Sequence, residues 1–110
     1  MFDEVTEFYR STVGMQKWLG QEGIEILRHD NMLVGFHRAE TADLDGLLTF
    51  YFPDRSEIDR FYALIEARAA GPPKENPNYR IYHFFAKDPE GRKIEFQTFL
   101  HDLPDGPQSW

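Results

Sequence analysis

Two stretches of this chain, DEVTEFYRST (3–12) and SEIDRFYALI (56–65), superimpose at a constant spacing of 53 residues, which sets Glu4 over Glu57, Val5 over Ile58, Phe8 over Phe61 and Tyr9 over Tyr62. A repeat at this spacing constrains the fold more than any single motif does. Each copy is one supersecondary unit, and its apolar face needs a partner layer to cover it. Phe2, Val5, Phe8 and Tyr9 recur at helical spacing, as do Ile58, Phe61, Tyr62 and Ile65, so each copy is expected to carry an amphipathic helix. Asp54, three residues before Glu57, gives the second helix an N-cap signal.

Strand-like runs follow each helix. In the first copy these are QKWLGQEG, GIEILRH and MLVGFHRA, with Asp30-Asn31 as a turn. In the second copy, GPPKENPNY is too Pro-rich for more than a short edge strand. RIYHFFAK and RKIEFQTFL then flank Asp88-Pro89-Glu90-Gly91 as a hairpin. Aligning the final strands sets Gly35 over Glu95 and His37 over Gln97 at a spacing of 60, so the second copy carries an insertion, placed in the Pro-rich loop. Ahead of the second helix, GLLTFYFPD reads as an apolar strand of about seven residues ending at Pro53. Its counterpart would fall before Met1, so the first copy lacks an opening strand. Either the reading frame begins upstream, or the fold tolerates the loss by borrowing a strand from a partner chain.

The length of 110 residues suits one domain, and the 41% apolar content with ten Phe supplies a core for it. With no Cys, disulfides, thiolate chemistry and Cys-based zinc sites are excluded, which fits a reducing compartment. MFDEVTEFYR lacks the pattern of a secretory leader, and no window approaches the roughly 18 apolar residues of a membrane span, so a cytoplasmic protein is expected. A net charge of −7 without a basic stripe argues against nucleic acid as partner. That acidity serves solubility or attracts a cationic ligand. There is no serine nucleophile elbow, no phosphate-cradling glycine loop and no helical His pair.

The tandem β-α-β-β-β pattern, with FYR and VGM closing the first helix and DPEGRKIEF entering the last strand, resembles the vicinal oxygen chelate superfamily, which includes glyoxalase I, bleomycin-resistance proteins and extradiol dioxygenases. The resemblance covers residues 2 to about 100. It implies an α+β fold of two modules, 1–44 and 45–101 followed by a tail over 102–110, whose curved mixed sheets form a cleft. It also implies a divalent ion (zinc, nickel, manganese or iron) on the inner walls, or no ion where the scaffold binds drugs. Glu95 matches the family's closing-strand Glu. The opening-strand His position holds Leu47, and the closing-strand position of the first module holds Gly35.

A metal group of His37, Glu95 and Gln97 is therefore one reading, with Glu95 as both anchor ion ligand and candidate proton carrier; a solvated His37 is the other. Leu47, Thr49 and Tyr51 share one strand face and are expected to line a ligand pocket, although Tyr51 equally suits a core position. His83 lies in the strand hairpinned to that of Glu95, and a one-residue register step decides whether they share a face. Glu25, between Ile24 and Ile26, is read as solvent-facing, His29 and His101 as solvated, and Trp18 as either core cover or pocket lining. The tail is expected to be mobile, with Trp110 pinning it to a neighbouring surface.

Three functions follow from the resemblance: a metal-dependent lyase or dioxygenase, a metal-free binder of cationic drugs, or a scaffold that has lost its pocket. A homodimer is expected, because without an opening strand the edge of MLVGFHRA is left bare.

Overall fold

The computed structural model of the chain describes residues 1–30 and 32–101; the expectations for Asn31, for the 102–110 tail and for Trp110 lie outside the described residues. The fold is α+β, and the chain divides into two compact units with the break between Asp43 and Leu44.

In the first unit, helix α1 (Phe2–Glu7) widens into a π-helical turn over Phe8–Val13. Gly14, at φ 93°, then stops it in the left-handed conformation that a residue without Cβ adopts freely. Val5, Phe8, Tyr9 and Val13 are buried. Strands β1 (Gln16–Gln21), β2 (Ile24–His29) and β3 (Met32–His37) form an antiparallel sheet in that order. Tyr9 stacks on Phe36 at 5.0 Å, which identifies the helix-covered face as that of Phe36, its register partner Glu25, and Leu27.

Glu25 is therefore not solvent-facing. Its side chain is 12% exposed, with Oε2 3.1 Å from Arg10 Nε and Oε1 3.7 Å from Lys17 Nζ. Arg10 Nε and Glu25 Oε2 are both sealed and meet without the alignment of a hydrogen bond, so their attraction is chiefly that of charge. Ile24, Glu25 and Ile26 alternate across the sheet as expected, but the helical segment packs over the face that carries Glu25. Trp18, beside an irregularity in the β1–β2 register, is exposed and covers no core. His29 closes β2 and is half-buried near Asp30; His101 in the second unit is also half-buried, its ring meeting Phe99 edge-on at 5.7 Å, so neither is fully solvated.

In the second unit, the strand order is β4 (Leu48–Tyr51), β7 (Lys93–Phe99), β6 (Ile81–Lys87) and β5 (Lys74–Asn76). β4 runs parallel to β7, and the other pairs are antiparallel. The opening strand is shorter than expected and leaves Leu47 outside it. β5 is the short edge strand that the Pro-rich segment allows.

Helix α2 (Arg55–Ile65) starts at Asp54, whose carboxylate accepts from Glu57 N at 3.0 Å and from Ser56 Oγ at 2.6 Å. Ile58, Phe61 and Ile65 face the sheet and are buried. Phe61 stacks on Phe96 at 4.9 Å and lies 4.6 Å from Phe52, while Phe96 also stacks on Phe50 and Phe84. This aromatic core accounts for much of the Phe content. At the β6–β7 hairpin, Asp88 Oδ1 accepts from the backbone of Glu90 and Arg92, each at 2.9 Å, and Arg92 pairs with both acids. Gly91, at φ 93°, makes the turn. No helix among the described residues is long and apolar enough to cross a membrane.

Candidate functional site

The hairpin turn fixes the register of β6 against β7, and the register builds the site. Lys87 pairs with Lys93, and counting back two residues at a time sets Phe85 opposite Glu95 and His83 opposite Gln97. Side chains alternate along each strand, so His83, Phe85, Glu95 and Gln97 share one face. Phe84, Ile94 and Phe96 share the other, and Phe96 meets α2. On the parallel side, Thr49 pairs with Glu95 and Tyr51 with Gln97. The face away from α2 thus carries a carboxylate, an imidazole, a hydroxyl, an amide and a phenol on three adjacent strands.

Glu95 is 7% exposed and His83 6%. A carboxylate this far from water needs hydrogen bonds, and Glu95 has one at each oxygen. Thr49 Oγ1 donates to Oε1 at 2.9 Å, and His83 Nδ1 lies 2.6 Å from Oε2. The second distance is short, as expected for a bond to an ionised acceptor. The surroundings are aromatic: Phe85 meets the His83 ring edge-on at 5.1 Å, and Phe99 lies 5.4 Å from half-buried Tyr51. Lys93 sits 6.0 Å over the Phe85 ring, and Lys74 on β5 stands opposite His83. Thr49 is exposed, so the hydrogen-bonded chain runs from the surface to the buried imidazole.

Of the residues expected from sequence, Glu95, Gln97, Thr49 and Tyr51 share this face. Leu47 lies before β4 with 46% of its surface exposed. His37 closes β3 in the first unit, exposed and opposite Ile24, so His37, Glu95 and Gln97 are not assembled within either unit. His83 is the participant that sequence reasoning left unplaced. The signal that finds it is the length of the Asp88–Arg92 turn, since a residue count across the hairpin then determines every facing pair.

A resident divalent ion requires three or more nitrogen or oxygen donors converging near 2 Å. Among the described residues no three His, Asp or Glu side chains converge in that way. Both Glu95 oxygens are committed to protein partners, and the position that would supply a His is Leu47. Within the second unit the described donors do not fit a resident metal.

The fold has many solved counterparts. A glyoxalase/bleomycin resistance protein/dioxygenase family enzyme from Burkholderia phytofirmans PsJN matches with a TM-score of 0.80 at 19% identity, covering 91% of each chain. A lactoylglutathione lyase from Agrobacterium tumefaciens matches at 0.71 and 22% identity, over 88% of this chain and 84% of that one. An integron cassette protein from the mobile metagenome of the Halifax Harbour sewage outfall matches at 0.75 and 16% identity, over 90% of each. No family model matches the sequence, and no curated protein matches it significantly. At these identities the likeness concerns the fold alone, which this chain shares with glyoxalase/bleomycin resistance protein/dioxygenase structures.

Proposed function

We propose that this chain, on the fold it shares with glyoxalases and bleomycin-resistance proteins, is a small-molecule-binding protein whose ligand meets the Glu95 face of the second sheet without a resident metal ion. The observation that carries this reading is the hydrogen bond at each oxygen of buried Glu95, from Thr49 and His83, which gives both oxygens a protein partner. Phe85, Phe99 and Tyr51 give the face an aromatic character suited to a flat or cationic ligand, and the net charge of −7 favours approach of a cation. The protein acts as a homodimer, in keeping with a β3 strand whose outer edge carries no strand among the described residues.

Metal analysis of tag-free protein equilibrated in turn with zinc, nickel, manganese and ferrous iron tests the reading, with Glu95→Gln as control. No retained ion is expected. About one tightly held ion per chain, lost in the control, would replace this reading with a metal-dependent lyase or dioxygenase acting on dicarbonyl or catechol compounds. Light scattering at micromolar concentration checks the assembly, and a monomeric mass removes the dimer.

A further inference from the structure

An ionised carboxylate only accepts, so the 2.6 Å contact between Glu95 Oε2 and His83 requires the ring proton on Nδ1. The neutral imidazole then carries its free lone pair on Nε2. Thr49, hydrogen-bonded to the other carboxylate oxygen, keeps Glu95 from turning away from the ring. Among the described residues the Nδ1 contact is the hydrogen bond that His83 makes, and the edge of Phe85 gives the ring an apolar neighbour. A fixed tautomer, an uncommitted Nε2 and apolar surroundings are the properties of a general base.

We infer that His83 is the acid–base group of this site, taking a proton from the ligand through Nε2, and that Glu95 and Thr49 are positioning residues for it. The inference rests on the metal-free reading above and narrows the ligand to a small aromatic compound bearing an acidic C–H, since Phe85, Phe99 and Tyr51 give the face its aromatic rings. In the step, the C–H bond breaks and its proton bonds to Nε2, while its electron pair enters the adjacent unsaturated system. The resulting imidazolium is paired with Glu95 and later returns the proton. No electrons are gained or lost, so the step needs no oxidant or co-reactant. Other charged groups on this face, among the described residues, include the register pair Lys87 and Lys93, the latter 6.0 Å over Phe85, and Lys74, opposite His83.

The test uses 5-nitrobenzisoxazole, an aromatic carbon acid: a base removes its ring C–H proton, the N–O bond breaks, and a coloured phenolate is released. The wild-type chain is expected to exceed free imidazole at equal concentration by about 100-fold, within the range of positioned proton transfer. His83→Gln is expected to fall to the uncatalysed background. Glu95→Gln is expected to lose about tenfold and Glu95→Asp to recover part of it. His29→Gln, outside the site, is expected to match wild type.

In parallel, nitrogen-15 spectra of the wild-type imidazole should show Nε2 without a proton, and Glu95→Gln should show a mixture of tautomers. That measurement and the comparison with free imidazole need no variant, so they stand even if His83→Gln does not fold. A wild-type rate no higher than that of imidazole, a His83→Gln rate equal to wild type, or a proton on Nε2 overturns the inference. All rates are taken with and without EDTA on protein of measured metal content. A rate that EDTA removes sinks the metal-free reading, whereas absence of both ion and rate sinks only the role of His83.

Discussion

Glu25 and Glu95 occupy the same local pattern, an acid between two apolar residues in a strand, yet their surroundings differ in kind. Glu25 lies under α1 and is held by two cations, Arg10 and Lys17. Glu95 lies on the face away from α2 and is held by a hydroxyl and an imidazole, among aromatic rings. The first arrangement ties a helix to a sheet and leaves the carboxylate nothing further to do. The second places a carboxylate beside a group that can exchange a proton. A buried acid is therefore informative about function only once its partners are known: fixed cations mark a structural brace, while a titratable neighbour marks a site.

The sharpest way to test that contrast is to remove each acid. Glu25→Ala removes the acid facing sealed Arg10 Nε, while Glu7 still pairs with the same guanidinium at 3.2 Å; it should cost about 1 kcal/mol, well below the full buried-pair penalty, because that second pair remains and the Arg10 side chain is 37% exposed. Urea unfolding measures it, and a loss under about 0.5 kcal/mol would show that Glu25 is not a brace. Activity toward 5-nitrobenzisoxazole per folded molecule should stay unchanged. Glu95→Gln keeps the side-chain shape and should cost about 1 kcal/mol, while its effect on proton transfer is large. If the two variants lose stability and activity in the same proportion, the contrast between brace and site is wrong.

A smaller effect separates the two helices. α2 is capped by Asp54, whereas α1 begins after Met1 with no side-chain cap bond. Hydrogen bonds from the Ser56 hydroxyl and the Glu57 N–H hold the Asp54 carboxyl below its ordinary value. A depressed folded-state value contributes stability that is present above the unfolded-state value and is lost as pH falls through the folded one. Asp54→Ala should accordingly lower the unfolding midpoint at neutral pH, and the gap from wild type should close in acid. A gap that persists at low pH would mean that the cap is not the cause.

The smallest expected effect is at Gly35, the repeat counterpart of Glu95. A Cβ there would meet Ile26 Cγ1 at 3.7 Å, an ordinary contact. Gly35→Ala should stabilise the chain by about 0.5 kcal/mol through the unfolded state and leave proton transfer untouched. Lost activity would show that the first unit contributes to the site.

Much of this was legible in the sequence because it is local. The two helices, the Asp54 cap, the β6–β7 hairpin, and the one-face pairs Thr49 with Tyr51 and Glu95 with Gln97 within their own strands follow from spacing alone, whereas the β4–β7 register brings the two pairs to a common face. The reach of β4 did not follow: apolar residues continue outside it at Leu47 and Phe52, and only pairing with β7 sets its ends. His83 was unplaced because a single-residue slip moves it to the opposite face, and the turn that prevents the slip is held by the Asp88 and Arg92 contacts.

What the sequence by itself determined is which side chains alternate: Glu25 opposite its Ile neighbours, and Glu95 opposite Ile94 and Phe96. That alternation is a property of the extended backbone and needs no partner. Which of the two faces the helix covers was decided only by the tertiary structure. Tyr9 and Arg10 close over the Glu25 side of the first sheet, and Phe61 closes over the Phe96 side of the second. The covered face is set by how helix and sheet pack and by the register between strands, and those contacts join residues far apart in the chain that no local pattern encodes.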